Sequence, residues 1–381
     1  MYRFWLAVGI SLSLMIGFDA VSGQDKKSPE EKKKKEEEIL GKTVSEWIKI
    51  LRTHENPKFR RAALIALEAS DTAGRSGLPA VMDALEKDKD LQVRLDAVAL
   101  LGRLDPKTNG VLKVLVVTLQ SDKDGEVREA AATSIGNRFV TPAEEYLVAL
   151  TDALKDPHPG TRVAVAGTLR NMGEAAKPAV PALLVAAKNP KEQVLVRVAA
   201  VHILGRHAKD NPQTLPLLID LVNGADNTVS LRETAIDGLG RSASDSSEAI
   251  AALCKTLDDK NLELRKASAV ALGTLGVKAK SGWPTIKTHV NDPKENSSVR
   301  NHLIRLTGAL AKSNADAVPV LTEVIVKDDS TENRLAAIQE LAELGAQAKS
   351  AVPELTRIAS QDGRAAVREE ASKALKRINA P

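Results

Sequence analysis

Asp88-Lys-Asp-Leu-Gln-Val-Arg94-Leu-Asp-Ala97-Val-Ala-Leu-Leu101-Gly102 reads as a polar turn running into an amphipathic helix, and it is one of ten such passages. Its arginine is the fixed point. Arg60, Arg94, Arg128, Arg162, Arg197, Arg232, Arg265, Arg300, Arg334 and Arg368 follow one another at steps of 34, 34, 34, 35, 35, 33, 35, 34 and 34 residues. A period in this range marks a stacked repeat array, in which each unit buries its apolar face only against its neighbours. Around the arginine the positions are typed. An aliphatic residue precedes it in most units, as in Val93, Val127, Val196, Leu231, Leu264, Val299 and Val367. A small residue follows three places on (Ala63, Ala97, Ala131, Ala200, Ala235, Ser268, Ala337, Ala371), and Leu or Ile seven places on in nine units, with Thr307 the exception. These positions share one helical face, and the small side chains permit close helix approach.

The stretch ahead of each turn is a first helix of about ten residues, with Pro79, Pro181, Pro216, Pro284, Pro319 and Pro353 at 15 or 16 residues before their arginine, in the first turn where a missing N–H costs least. At the chain's start, Thr43 and Glu46 have capping-box spacing ahead of Trp47, Ile48, Ile50 and Leu51, which starts helix one near Val44. Gly102, Gly136, Gly205, Gly240, Gly273 and Gly308 stand eight after the arginine; a helical Gly costs about 1 kcal/mol against Ala, so its recurrence implies backbone contact between units or a helix end. The expectation is an all-α chain, an α-solenoid of about ten two-helix repeats over residues 44–381.

A further column stands six before the arginine: Asp88, Asp122, Asp156, Asp226, Asp259, Asp328 and Asp362, with His54, Lys191 and Lys294 in the other three units. The spacing offers each Asp as a cap for the following helix and as a partner for an arginine of its own or the next unit, which predicts a ladder through Arg94, Arg128, Arg162, Arg232, Arg265, Arg334 and Arg368. Such pairs, if exposed, are worth about 0.2–1 kcal/mol each, so apolar interfaces hold the stack and the ladder sets its register.

Residues 1–23 have the form of a secretory signal: Arg3, an apolar stretch from Phe4 to Phe18, and small residues around Ala20-Val21-Ser22-Gly23. A retained membrane anchor is the competing reading, but the stretch is shorter than the roughly 20 residues a span needs. The expected address is a bacterial periplasm, cell envelope or exterior, without stable membrane insertion after cleavage. Residues 24–43 read as a charged linker in which Lys26, Lys27 and Lys32 to Lys35 balance Asp25, Glu30, Glu31 and Glu36 to Glu38. That balance closes at residue 38 and Arg3 and Asp19 cancel in the signal, so the net charge of +4 lies beyond residue 38, too dilute for a nucleic-acid footprint, and the aromatics needed for base stacking are scarce. Cys254 is the single cysteine, which excludes an internal disulfide or a thiolate metal cage.

The Asp-x5-Arg turn, the aliphatic residue before the Arg, the small residue and Leu-Gly after it, and the Pro-marked first helix together resemble HEAT repeats. Gly173-Glu-Ala-Ala-Lys-Pro-Ala-Val-Pro-Ala-Leu183 and Gly345-Ala-Gln-Ala-Lys-Ser-Ala-Val-Pro-Glu-Leu355 are similar to the phycobilisome-lyase-type HEAT-like subgroup. The resemblance spans about residues 44–380 and implies an armadillo/HEAT-type superhelix; the subgroup would imply an accessory role toward a chromophore-bearing partner. Tetratricopeptide repeats share the period but require recurring Trp, Tyr and Phe positions that this chain lacks. His54-Glu55 is the dipeptide that HEAT-type deoxyhypusine hydroxylases repeat to hold iron, and it occurs once here. No Gly-x-Ser-x-Gly, phosphate-cradling loop or dinucleotide fingerprint is present, and no residue set implies a cofactor. The reading is a non-catalytic scaffold that binds protein. In HEAT-like stacks the second helices line the concave side, and there the outward positions two, five and nine after the arginine become His202, Arg206, Asp237, Arg241, His302 and Arg305 from the fifth unit onward, which makes them the expected partner-binding residues.

Overall fold

The computed structural model describes residues 38–69, 76–104, 108, 110–138, 144–242 and 246–380, so the expected signal (1–23) and most of the expected linker lie outside the described residues. The linker's last residues fold: β1 (Glu38–Ile39) pairs antiparallel with β2 (Lys42–Thr43), and the Trp47 indole N–H donates to the Ile39 carbonyl at 2.8 Å. The composition of 24–43 hides this hairpin because its apolar anchor lies in the first helix.

Ten helix pairs follow. They are α1 (Val44–Thr53) and α2 (Pro57–Glu68), α3 (Leu78–Lys87) and α4 (Leu91–Leu101), α5 (Val111–Ser121) and α6 (Gly125–Arg138), α7 (Glu144–Ala153) and α8 (Pro159–Met172), α9 (Val180–Lys188) and α10 (Val194–Arg206). The second half comprises α11 (Thr214–Asn223) and α12 (Val229–Ser242), α13 (Ser247–Thr256) and α14 (Leu262–Leu275), α15 (Trp283–Asn291) and α16 (Ser297–Ala311), α17 (Ala317–Lys327) and α18 (Thr331–Glu343), α19 (Val352–Gln361) and α20 (Ala365–Ile378). Odd helices form one layer and even helices the other; the even helices of successive units touch more extensively than the odd ones.

Helix α1 opens on a capping box in which the Glu46 N–H donates to Thr43 Oγ1 at 3.3 Å and the Thr43 N–H to Glu46 Oε2 at 2.7 Å. Pro79, Pro181, Pro284 and Pro353 occupy the first turns of α3, α9, α15 and α19. Three first helices are preceded by seven-residue 3-10 segments, Gly173–Ala179, Gly276–Gly282 and Gly345–Ala351, each opening on a glycine at φ 52 to 57° that only glycine adopts without strain.

The core is the face the arginine register defines. Every small residue three places after the arginine is fully buried, as are the aliphatics before it. Where unit four has Thr161 and unit nine Asn333 in the aliphatic position, both are also fully buried, and each is satisfied: Thr161 Oγ1 donates to the Gly125 carbonyl at 3.1 Å, and Asn333 Nδ2 to Asp328 Oδ2 at 3.1 Å. Leu375, in the last unit, is only partly buried. The glycine column is explained by contact between units rather than by helix ends. A Cβ built on Gly102, Gly136, Gly205, Gly240 or Gly308 would collide with the residue six after the arginine of the next unit: Ser134, Thr168, Gly238, Ala271 and Glu340 in turn. At Gly205 the obstacle is the Gly238 Cα at 2.8 Å, so α10 and α12 meet backbone to backbone. Gly273 has no such neighbour.

Candidate interaction face

The register arginines hang at the start of their even helices, and most divide their donors between two units. Arg128 shows the pattern: Nη1 donates to the Asp122 carbonyl of its own turn at 2.7 Å, while Nε and Nη2 grip Asp156 of the next unit at 2.7 and 2.8 Å. Arg60 grips Asp88 in the same bidentate way, and Arg94 grips Asp122 and also reaches Asp124. Arg232 meets Asp259 at 2.8 Å, Arg300 pairs with Asp328, and Arg334 with Asp362. Where the partner is a carboxylate it comes from the following unit; Arg94, Arg128, Arg162 and Arg265 also take the carbonyl of the Asp in their own turn, Arg60 that of His54, and Arg232 and Arg300 those of Val222 and Val290. Arg368, with no later unit among the described residues, keeps only the Asp362 carbonyl.

Three expectations about this ladder need correction. The Asp residues do not cap the even helices: Asp88, Asp122, Asp328 and Asp362 end odd helices, and the carboxylates of these four and of Asp156 and Asp259 accept the N–H two residues on, as Asp88 does from Asp90, which is itself the cap of α4. The pairs are not exposed: Arg94 retains 3% side-chain exposure and Asp122 8%, which moves them out of the surface-pair regime. Asp226 is not a member. It is exposed, and Arg197 instead donates to Asn227 Oδ1 at 3.3 Å and to the Ala187 carbonyl at 3.1 Å. The same substitution of neighbour for slot recurs where Arg162 meets Glu192 at 2.9 Å and Arg265 meets Glu295 at 3.1 Å. These acceptors stand five before the next arginine, in the units entered by a step of 35: the extra residue lengthens the turn and carries the acceptor one place along.

The electrostatics follow. Burial alone would raise the Asp156 carboxyl, but the hydrogen bond from Arg128, the His158 N–H and the Arg128 charge hold it below its ordinary range. Asp259 is likewise held low against its burial, by the Asn261 N–H and by Arg232.

The residues expected at the partner-binding face divide into two places. His202 and Arg206 on α10 lie beside Asp237 and Arg241 on α12, where Arg241 Nε donates to Asp237 Oδ1 at 3.0 Å. His302 and Arg305 lie on α16, separated from the first group by α14, whose Val270 is 46% exposed; Arg305 Nε donates to Asn301 Oδ1 at 3.3 Å. His202 is half-buried. Burial pushes its imidazole below the ordinary value, and the charges of Arg206, Arg241 and Arg170 push it the same way against Asp237. Arg170, on α8, was not among the expected residues. It stands eight after its arginine, where most units carry the packing glycine, and that break in the column is the signal that marks it. Arg206 lies over the turn ending α8, its Nη1 3.6 Å from where a Gly173 Cβ would be.

Elsewhere the chemistry is structural. Cys254 is buried, and burial pushes its thiol up to about 11. His54 stacks on Phe59 with ring centroids 4.3 Å apart, and its carbonyl accepts from Arg60. Among the described residues no group of three or more His, Cys, Asp or Glu is placed to hold a metal ion. A cleft of about 650 Å³ lies against the turns of the first two units, bordered by His54, Arg60, Asp83 and Asp88.

Two stacked layers of antiparallel helices with a repeated inter-unit lock define an α-solenoid repeat protein. The family described as HEAT repeats matches residues 44–136, 112–195, 147–230 and 284–376, and the chain belongs to it. No curated protein matches the sequence. Among solved structures, an engineered protein is similar over 88% of this chain and 99% of its own, at 20% identity and a TM-score of 0.53. Kap121p bound to Nup53p is similar over 88% of this chain at 15% identity and a TM-score of 0.53, and Kap121p bound to the extreme C-terminus of the phosphatase Cdc14p at 13% and 0.53. This chain covers 41% and 45% of those two karyopherin chains, and at such identities the likeness is one of fold.

Proposed function

We propose that the chain is a non-catalytic scaffold that binds protein through the exposed face of its even helices. The carrying observation is a division of labour along each even helix: one face is typed from unit to unit and fully buried, while the outward positions change from Ile65, Ala99 and Thr133 to His202, Asp237 and Arg305. A stack whose units repeat inside and differ outside presents a long surface of many separate contacts, which suits a protein partner better than a small molecule. The karyopherin complexes of the same fold, with their protein partners, support the reading. Crosslinking mass spectrometry on the protein in its source cells tests it. Crosslinks to a partner should gather on the even helices; crosslinks confined to the odd helices would overturn the assignment of the face.

Export belongs to the same proposal and rests on residues 1–23; a mature protein beginning near Gln24 in an envelope or secreted fraction is the expected result, and a cytosolic chain still starting at Met1 would refute it. The accessory role of the lyase-type subgroup rests on segments 173–183 and 345–355 alone; purified protein that is colourless and leaves an added bilin's absorption unchanged removes it.

A further inference from the structure

On the even-helix face, three arginines are neutralised by the neighbouring even helix. Arg61 meets Asp96 at 2.6 Å, Arg103 meets Glu68 at 2.7 Å, and Arg377 meets Glu343 at 2.7 Å. Units four to six depart from this. Arg170 and Arg206 are exposed, and among the described residues neither has a carboxylate within 4 Å. Arg241 has only Asp237 of its own helix, both about half exposed at 48% and 50%. Three guanidiniums thus face one carboxylate across three successive even helices, with the half-buried His202 ring between them. Like charges gathered on one patch add nothing to the stability of the array.

We propose that this patch docks an extended acidic segment of a partner protein, whose carboxylates are received by Arg170, Arg206 and Arg241 around His202; the inference rests on the scaffold reading above. Guanidinium binds carboxylate through paired, charge-assisted hydrogen bonds. The spacing suits the ligand: packed helices stand about 8–10 Å apart. An extended chain of the polyproline II type rises about 3.1 Å per residue with three residues per turn, so every third side chain comes past an arginine on the same side. His202 places a flat ring where the segment crosses α10.

The test is fluorescence anisotropy of the full chain with a labelled poly-Glu peptide, with poly-Lys and a single-stranded DNA of matched charge beside it. The wild type should bind poly-Glu and not poly-Lys, and should weaken as the Debye length contracts from about 30 Å at 0.01 M salt to about 8 Å at 0.15 M. Arg170→Ala with Arg206→Ala should weaken binding about tenfold or more. Arg61→Ala with Arg377→Ala, which makes the same change in net charge, should leave it within about twofold. Equal loss in both double variants, or equal affinity for the DNA, would identify unselective attraction and overturn the proposal. Absence of poly-Glu binding at low salt, with partner crosslinks still on the even helices, overturns the acidic segment and leaves the scaffold standing; absence of partner crosslinks on those helices strikes the scaffold itself.

Discussion

Replacing Asp156 by Ala should cost the array far more than the removal of a surface charge. The carboxylate is 8% exposed and its partner Arg128 12%, and it accepts from Arg128 Nε, Arg128 Nη2 and the His158 N–H at 2.7 to 2.8 Å. With charge centres about 4 Å apart and an effective dielectric near 20, the pair attracts by about 4 kcal/mol. Removing one member strands the other in a site closed to water, which costs about 3–5 kcal/mol. Asp122→Ala should cost less, about 1–2 kcal/mol, because Arg94 also reaches Asp124, which at 39% exposure keeps part of the guanidinium's partnership. A solenoid need not unfold in one step, so the readout is hydrogen exchange resolved on α6 and α8, with urea unfolding alongside. About 3 kcal/mol at that interface corresponds to exchange roughly a hundredfold faster there. The double change Arg128→Met, Asp156→Leu should recover most of the loss, since no charge is left stranded. The reasoning fails if Asp156→Ala costs no more than about 0.5 kcal/mol, as an exposed pair such as Lys373 with Glu369 would, or if Asp122→Ala proves the costlier change.

Gly205→Ala should destabilise by about 1–3 kcal/mol despite the helix propensity gained, because its Cβ would meet the Gly238 backbone; Gly273→Ala, in open space, should be neutral or stabilising by urea unfolding. Cys254 should resist a thiol reagent at pH 8 in the native protein and react after unfolding, and Gly282→Ala, whose Cβ would stand 2.6 Å from the Cys254 sulfur, should speed that reaction. Asp156 and Asp259 have native pKa values below their unfolded ones, so their contribution is complete above the unfolded value near about 3.9 and is lost as pH falls through the native values. Circular dichroism against pH should show that loss in acid, with Asp156→Asn showing less of it; identical profiles would refute the linkage.

The fold was legible because one residue type recurs at a period, and each column around it has a single physical job. The hairpin at 38–43 was not, since its stability depends on an indole eight residues away in sequence. The ladder was half legible. Its columns are visible in the spacing, but which carboxylate serves which arginine depends on how units stack, and only the three-dimensional arrangement shows that the acid lies 28 residues ahead of Arg94 rather than six behind it. Glu192, Asn227 and Glu295 carried a sequence signal, the step of 35 that precedes each following arginine. At the interaction face, His202, Arg206, Asp237 and Arg241 were found by helical geometry. His302 and Arg305 were grouped with them because a one-dimensional pattern does not count the helix that separates them.

The lock between units has a direction: an internal unit carries an arginine that plugs forward and an acceptor that receives the plug from behind, an acid in every described case but Asn227. A copied or deleted segment of one period therefore brings or removes both halves together, so the array can change its length without leaving a buried ion alone. A change of one residue within a turn is the harder event, because it shifts the socket and obliges the acid to move with it, as Glu192 and Glu295 have done. Number of units is thus the easy variable in this architecture, and turn length the constrained one.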